Sequence, residues 1–130
     1  MNRLFRLSSA LVAVAFLAAC SATPAEPVSI DQRLAGKGYE VGERINRIPN
    51  FRLNGWSYVD RKHVILMSGV RERYLVTLKT NCQDLDSAIN IAYTTTAGAL
   101  TDSDKLIVKV RGGFGHNCLI HRLHTLEKTE

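Results

Sequence analysis

Three histidines lie close to a cysteine near the C-terminal end of the chain: His116, His121 and His124 surround Cys118. Imidazole nitrogens and cysteine thiolates are common zinc ligands, so this stretch has the composition of a metal site. It follows a glycine-rich loop and is predicted to be a strand, in which successive side chains point to opposite faces. His121 and His124 would then point in opposite directions, and Cys118 would share a face with His124. We therefore predict that no metal is bound. The three histidines stay weak candidates for metal ligands.

Two carboxylates at alternate positions, Asp102 and Asp104 with Ser103 between them, have the spacing found at the start of a calcium-binding loop. Lys105 follows them, and the later ligands and the loop glycine of such a site are missing. Asp and Ser side chains commonly bond their own backbone in turns. We therefore predict a turn at this position.

The loop Gly112-Gly113-Phe114-Gly115 is glycine-rich, but no helix pattern with a third fingerprint glycine follows it. No serine lies in a Gly-x-Ser-x-Gly turn, and a triad formed from residues distant in sequence stays an open alternative. We predict that the protein is not an enzyme and that it carries no cofactor. Phe114, placed among glycines, is predicted to be exposed and to serve as a contact point for a partner.

The first residues have the three parts of a secretory signal peptide. Arg3 and Arg6 form a basic start, residues 11–17 are apolar, and Ala18-Ala19 supply the small residues before the cleavage point. The apolar run is too short for a membrane-spanning helix, which needs about 20 apolar residues. Residues 1–19 are therefore predicted to be a signal peptide that is removed.

The end of this segment, Leu17-Ala18-Ala19-Cys20, resembles the lipobox of bacterial lipoproteins at all four positions. The resemblance implies cleavage before Cys20, a diacylglycerol on its sulfur, and acylation of the new amino group, for example with palmitate. Two or three acyl chains anchor a protein stably, whereas one does not. Ser21 is not the aspartate that retains lipoproteins in the inner membrane, so the resemblance implies an outer-membrane lipoprotein whose domain faces the periplasm. An ordinary secretory signal that leaves Cys20 free is the alternative.

Composition divides the mature chain into two parts. Residues 20–38 begin with small, polar and proline-bearing positions and are predicted to be the lipidated N-terminus and a flexible tether. Residues 39–130 are predicted to form one small domain. Loss of Arg3 and Arg6 lowers the formal net charge from +5 to +3. That charge is too small to indicate nucleic-acid binding, although a weak attraction to anionic lipid or polysaccharide stays possible.

Cys82 and Cys118 are left as an even pair once Cys20 is assigned to lipid. In an oxidising compartment, an even pair is expected to form a disulfide. A bridge that closes a loop of this length stabilises a domain by about 4 kcal/mol in the chain-entropy account.

The domain sequence is dominated by strand patterns. The segment 63–68 is apolar on both faces, as in a fully buried strand, and a turn at Gly69 leads into the returning segment 73–78. Residues 106–110 and 118–123 are further strands. The sequence therefore predicts a mainly β fold, a small antiparallel curled sheet or barrel with one short helix and one disulfide.

The short helix is predicted over about residues 82–88, with Asn81 as its cap. A further helical turn is predicted over residues 29–34, because Ser29 and Gln32 have the spacing of a capping box.

The domain also resembles a family of uncharacterised small Gram-negative envelope lipoproteins, a domain of unknown function, over roughly residues 41–126. The residues that carry the resemblance are Gly55-Trp56, Val59-Asp60, Tyr74-Leu75-Val76, Leu78, Cys82, Leu85, Ala88, Asp104, Cys118 and Ile120. The resemblance implies no activity and no catalytic residue. It supports the pairing of Cys82 with Cys118.

The resulting functional expectation is an outer-membrane-anchored periplasmic lipoprotein that is non-enzymatic and binds an envelope protein or polysaccharide. The membrane itself is a partner through the lipid on Cys20. The alternative is a protein that binds a small ligand or a metal through the region of His116 and Phe114.

Overall fold

The computed structural model describes residues 27–130. Within them the chain forms a short α-helix, nine strands and a 3-10 turn. In chain order these are α1 (Ile30–Ala35), β1 (Tyr39–Ile45), β2 (Arg47–Ile48), β3 (Leu53–Asp60), β4 (His63–Ser68), β5 (Glu72–Leu78), the 3-10 turn (Leu85–Ser87), β6 (Asn90–Tyr93), β7 (Leu100–Thr101), β8 (Lys105–Lys109) and β9 (His116–Lys128).

The main sheet is antiparallel, with the strand order β3-β4-β5-β9-β8-β6 and with β1 also paired to β9. The long strand β9 pairs with β8 through its first residues and with β5 and β1 through its later ones. The two edge strands approach each other where the amide of Leu53 donates to Tyr93 Oη at 3.3 Å. The sheet is thus a nearly closed barrel, and the predicted mainly β fold is confirmed.

The interior of the barrel is filled by the side chains that alternate inward along the strands. Strand β4 is apolar on both faces because each face packs against a different cluster. Val64 and Leu66 belong to the main core, whereas Ile65 belongs to a second cluster. All three are fully buried. The other large members of the main core are Ile48, Phe51, Val76, Leu78, Leu85, Ile91, Leu100, Leu106, Val108, Ile120 and Leu123.

Helix α1 covers the second cluster on the outside of the sheet. Its capping box forms as predicted, since the amide of Gln32 donates to Ser29 Oγ and the amide of Ser29 donates to Gln32 Oε1, each at 3.3 Å. Leu34 is fully buried against Ile65 and Leu75. Burial of a leucine stabilises the folded state by about 2 kcal/mol.

The position of α1 corrects the predicted boundary between tether and domain. Residues 20–38 were expected to be flexible and the domain to start at residue 39. The structure instead packs Ile30–Ala35 onto the domain, because Leu34 closes an apolar face that would otherwise be open to water. The folded domain therefore begins near Ser29. The predicted signal peptide and Cys20 lie outside the described residues.

The short helix predicted over residues 82–88 is present as one 3-10 turn, Leu85–Ser87. The residue before it is Asp84 rather than Asn81, and Asp84 has a left-handed backbone, with φ 62°. Leu85 is fully buried in the main core and fixes the turn against the barrel. Within the described residues, no helix has the length and apolarity needed to cross a membrane.

Candidate functional site

The loop between β8 and β9 carries the most exposed aromatic side chain that the structure describes. Phe114 is 93% exposed. Gly112 has φ 70°, a conformation that side-chain-bearing residues rarely adopt. A Cβ added at Gly115 would lie 2.9 Å from Ile107 Cγ2, so this glycine lets the loop cross close to β8. The predicted exposure of Phe114 is confirmed.

A disulfide fixes the base of this loop. Cys118 in β9 is bonded to Cys82, with a Cα–Cα distance of 5.7 Å, and both residues are buried at the edge of the main core. The predicted pairing is confirmed. The bridge joins β9 to the segment that leads into the 3-10 turn, so the start of β9 has little freedom to move.

A second contact between the same two segments joins a histidine to an aspartate. His116 Nε2 lies 3.0 Å from Asp84 Oδ2, and both side chains are partly exposed. Asp84 has a left-handed backbone, and its carboxylate lies next to the first residue of β9. This pair could not be recognised in the sequence, because the two residues are far apart in the chain and meet only in the folded domain, beside the disulfide.

The three histidines do not come together. His116 contacts Asp84, His121 is exposed, and His124 lies directly opposite Arg44 of β1 and Leu75 of β5. Among residues 27–130, no three His, Cys, Asp or Glu side chains are grouped as metal ligands.

The prediction that Cys118 and His124 share a face is wrong. His121 is an extra residue in β9, because Leu78 pairs with Ile120 whereas Thr77 pairs with Arg122. This β-bulge shifts the alternation of side chains by one position. Cys118 therefore points into the core and His124 points to the outer face of the sheet.

His124 has an unusual environment on that outer face. Its Nδ1 is buried and has no hydrogen-bond partner among the described residues. Burial lowers the pKa of His124, and the nearby positive charges of Arg44 and Arg122 lower it further. The neutral imidazole is thus favoured.

Asp104 is the acceptor of a dense hydrogen-bond network, which confirms the turn interpretation. The amide and hydroxyl of Thr101 each donate to Asp104 Oδ2 at 2.8 Å. Thr94 Oγ1 donates to Oδ1 at 2.9 Å, and Thr96 Oγ1 lies 3.3 Å from both oxygens. Burial alone would raise the pKa of Asp104, but the bonds from Thr101, Thr94 and Thr96 together hold it below its usual range.

A second pair of histidine with aspartate lies at the turn between β3 and β4. His63 Nδ1 is 2.9 Å from Asp60 Oδ1, which also accepts a bond from the amide of Lys62 at 2.8 Å. Burial alone would raise the pKa of Asp60, whereas the bonds from Lys62 and His63 lower it below its usual value. The pair closes a tight turn and orients the imidazole. Asp60 and His63 are three residues apart, so this contact is local in the sequence.

A shallow groove of about 450 Å³ runs beside the disulfide and the 3-10 turn. Its lining is mostly polar and includes Arg61, Asn81, Gln83 and Asp84. Because Asp84 is also the partner of His116, the groove adjoins the base of the Phe114 loop. The candidate site is therefore an exposed aromatic loop on a rigid, disulfide-bonded base with a polar groove at its side.

Comparison with known proteins gives one match. The chain matches a family of unknown function, DUF6491, over residues 3–130. No curated protein and no solved structure matches the chain. Because the match covers nearly the whole chain, the protein belongs to the DUF6491 family of unknown function.

Proposed function

We propose that this protein is a lipoprotein of the outer membrane, anchored through Cys20, whose β domain faces the periplasm and binds another envelope component without catalysing a reaction. The observation that carries the binding role is the Phe114 loop. Phe114 exposes 93% of its surface, and the loop that bears it is fixed by the Cys82–Cys118 disulfide. The lipobox at residues 17–20 supports the anchor.

The Phe114 loop has the physical properties of a protein-binding contact. Aromatic side chains that enter a pocket of a partner contribute strongly to affinity. The cost of association includes the ordering of flexible loops, which a fixed base reduces. The disulfide and the pair of His116 with Asp84 provide that base. A solvent-exposed phenylalanine gains nothing for folding, so binding is the better account of its position.

The length of the tether sets how far the domain can lie from the membrane. Nine residues lead from Cys20 to Ser29, where the folded domain begins. A fully extended chain covers at most about 3.5 Å per residue, so the tether can reach no further than about 30 Å. A tethered domain has a high effective concentration for partners at the same surface. The proposed partner is therefore a component that lies at or near the outer membrane.

Changing Cys20→Ser is expected to abolish lipidation and to leave the protein in its precursor form. Mass spectrometry of the protein purified from cells would detect the missing acyl chains and the retained residues 1–19. Sucrose-gradient fractionation would show whether the wild-type protein is in the outer membrane. Lipidation and normal fractionation of the Cys20→Ser variant would refute the anchor.

Changing Phe114→Ala is expected to weaken partner binding at least tenfold without changing the free energy of unfolding, since Phe114 makes no core contact. A photo-crosslinking amino acid at position 114 should capture one defined envelope component in living cells. The matched control is the same probe at Val70, which is 85% exposed on the turn between β4 and β5. Identical adducts from both positions would contradict a role of the loop.

The groove beside Asp84 favours a second candidate function, the binding of a small polar ligand next to His116. A metal ion is one such ligand, and metal analysis of protein purified without a histidine tag would test it. Stoichiometric metal that is lost in a His116→Ala variant would favour this function over partner binding. Metal content that is unaffected by the substitution would argue against it.

A further inference from the structure

The outer face of the sheet carries positive charge around the later half of β9. Arg44 of β1 lies directly opposite His124 of β9, and Arg122 lies two residues before His124 on the same strand. Arg122 is in turn opposite Thr77 of β5, on the outer face of the barrel. Both arginines are exposed, so two basic residues neighbour His124 on the outer face.

Two lysines extend this positive region across β5 and β4. The carbonyl of Lys62 accepts from the amide of Leu78 at 2.8 Å, and the amide of Lys79 donates to the carbonyl of Leu119 at 2.9 Å. Both lysine side chains are exposed. Together the four residues Arg44, Lys62, Lys79 and Arg122 form what we call the basic face.

All four cations contribute to the electrostatic potential at His121. The pKa of His121 is lowered by desolvation and then by the positive charges of all four residues, Arg122, Arg44, Lys62 and Lys79. Their electrostatic influence therefore converges on one position of the outer surface.

No residue of the basic face forms an ion pair with an acidic side chain among residues 27–130. The ion pairs found among residues 27–130 are those of Asp60 with His63 and of Asp84 with His116, and neither involves a residue of the basic face. A group of four exposed cations that form no ion pair is the complement of an external anion.

We propose that the basic face docks on the phosphate headgroups of an anionic phospholipid bilayer. From β1 to β4 the basic face spans three strand spacings, or about 15 Å, which is wider than one phosphate and suits several headgroups. Arginine binds phosphate through two parallel hydrogen bonds, and each basic residue near an anionic bilayer adds attraction. The inference rests on the proposed membrane anchoring, because the tether keeps the domain within reach of the bilayer.

The test uses the mature chain, residues 20–130, with Cys20→Ser so that no lipid contributes. Binding is measured by co-sedimentation with vesicles of phosphatidylcholine alone and of phosphatidylcholine mixed with phosphatidylglycerol. The wild-type domain is expected to bind only the anionic vesicles and to be released by salt. The double variant Arg44→Gln/Arg122→Gln is expected to bind roughly 30-fold more weakly, about fivefold for each lost cation.

The control is Lys109→Gln/Arg111→Gln, which removes the same charge from two exposed residues outside the basic face, at the end of β8 and in the loop that follows it. This control is expected to bind as the wild type does, and all variants are compared in thermal unfolding. Equal weakening by both double variants would mean a general charge effect and would overturn the proposal. A lack of binding to anionic vesicles would also overturn the proposal. Release of the vesicles by inorganic phosphate at unchanged ionic strength would overturn it as well, because that result would indicate a site for a small anion.

The two proposals fail in different ways. If the anchoring is wrong, Cys20 carries no lipid in cells, and the vesicle assay on the unlipidated chain is unaffected. If the basic face is not a membrane contact, the vesicles give no difference between variants even though Cys20 is lipidated.

Discussion

Replacement of Cys82 and Cys118 together by alanine is expected to lower the free energy of unfolding by about 4 kcal/mol. The bridge spans 36 residues of sequence, so its loss frees a long loop in the unfolded chain. For a domain of this size, that is a large part of the total stability. Urea unfolding followed by tryptophan fluorescence of Trp56 measures the change.

Reduction of the wild-type protein supplies the control for this substitution. Reduced wild type and the double alanine variant are expected to unfold at similar urea concentrations, because both lack the same constraint. In the folded oxidised protein, neither cysteine is expected to react with a thiol reagent. A double variant with an unchanged unfolding midpoint would contradict the structural role of the bridge.

Changing Asp104→Asn is expected to lower the free energy of unfolding by about 3 kcal/mol. The carboxylate is 6% exposed and accepts bonds from the amide and hydroxyl of Thr101 and from the hydroxyls of Thr94 and Thr96. An amide in its place removes the charge and points an NH2 group at these donors. Chemical denaturation at neutral pH measures the effect.

The control for this prediction is Asp102→Asn, which removes a nearby charge at a partly exposed position. It is expected to change the stability by less than about 0.5 kcal/mol. Equal effects of the two substitutions would show that the network around Asp104 is not what stabilises the turn.

The pH dependence gives the Asp104 prediction a second measurement. The folded-state pKa of Asp104 lies below the unperturbed value of 3.8, so the unfolded chain binds the proton first as the pH falls. The stability from the carboxylate is therefore complete well above pH 3.8 and is lost as the pH falls through the lower folded-state pKa. Asp60, whose pKa is also lowered, contributes in the same direction. The Asp104→Asn variant should show a smaller acid-induced loss than the wild type.

The features of the fold that follow from local sequence patterns were predictable. Apolar residues on both faces of β4 predicted a fully buried strand, and the structure places Ile65 and Leu66 in two different clusters. The turn at Gly69 and the pairing of Cys82 with Cys118 were likewise predictable, since turn chemistry and an even number of cysteines are visible in a sequence.

The features that depend on long-range geometry were not predictable. The bulge at His121 shifts the face to which His124 points, and a bulge of this kind has no clear sequence signature. Helix α1 was recognisable from Ser29 and Gln32, but its packing on the outside of the barrel depends on an apolar face formed by distant strands. The pair of His116 with Asp84 depends in the same way on the disulfide beside it.

The central position of β9 has a consequence for when the domain can fold. This strand follows all three strands with which it pairs, β8, β5 and β1, and its pairing with β1 joins Tyr39 to Lys128. The barrel therefore cannot close until β9 has left the ribosome. Because its contacts join distant parts of the chain, folding belongs to the slow range of milliseconds to seconds. A newly made chain would thus keep the edges of β8, β5 and β1 unpaired until β9 is available.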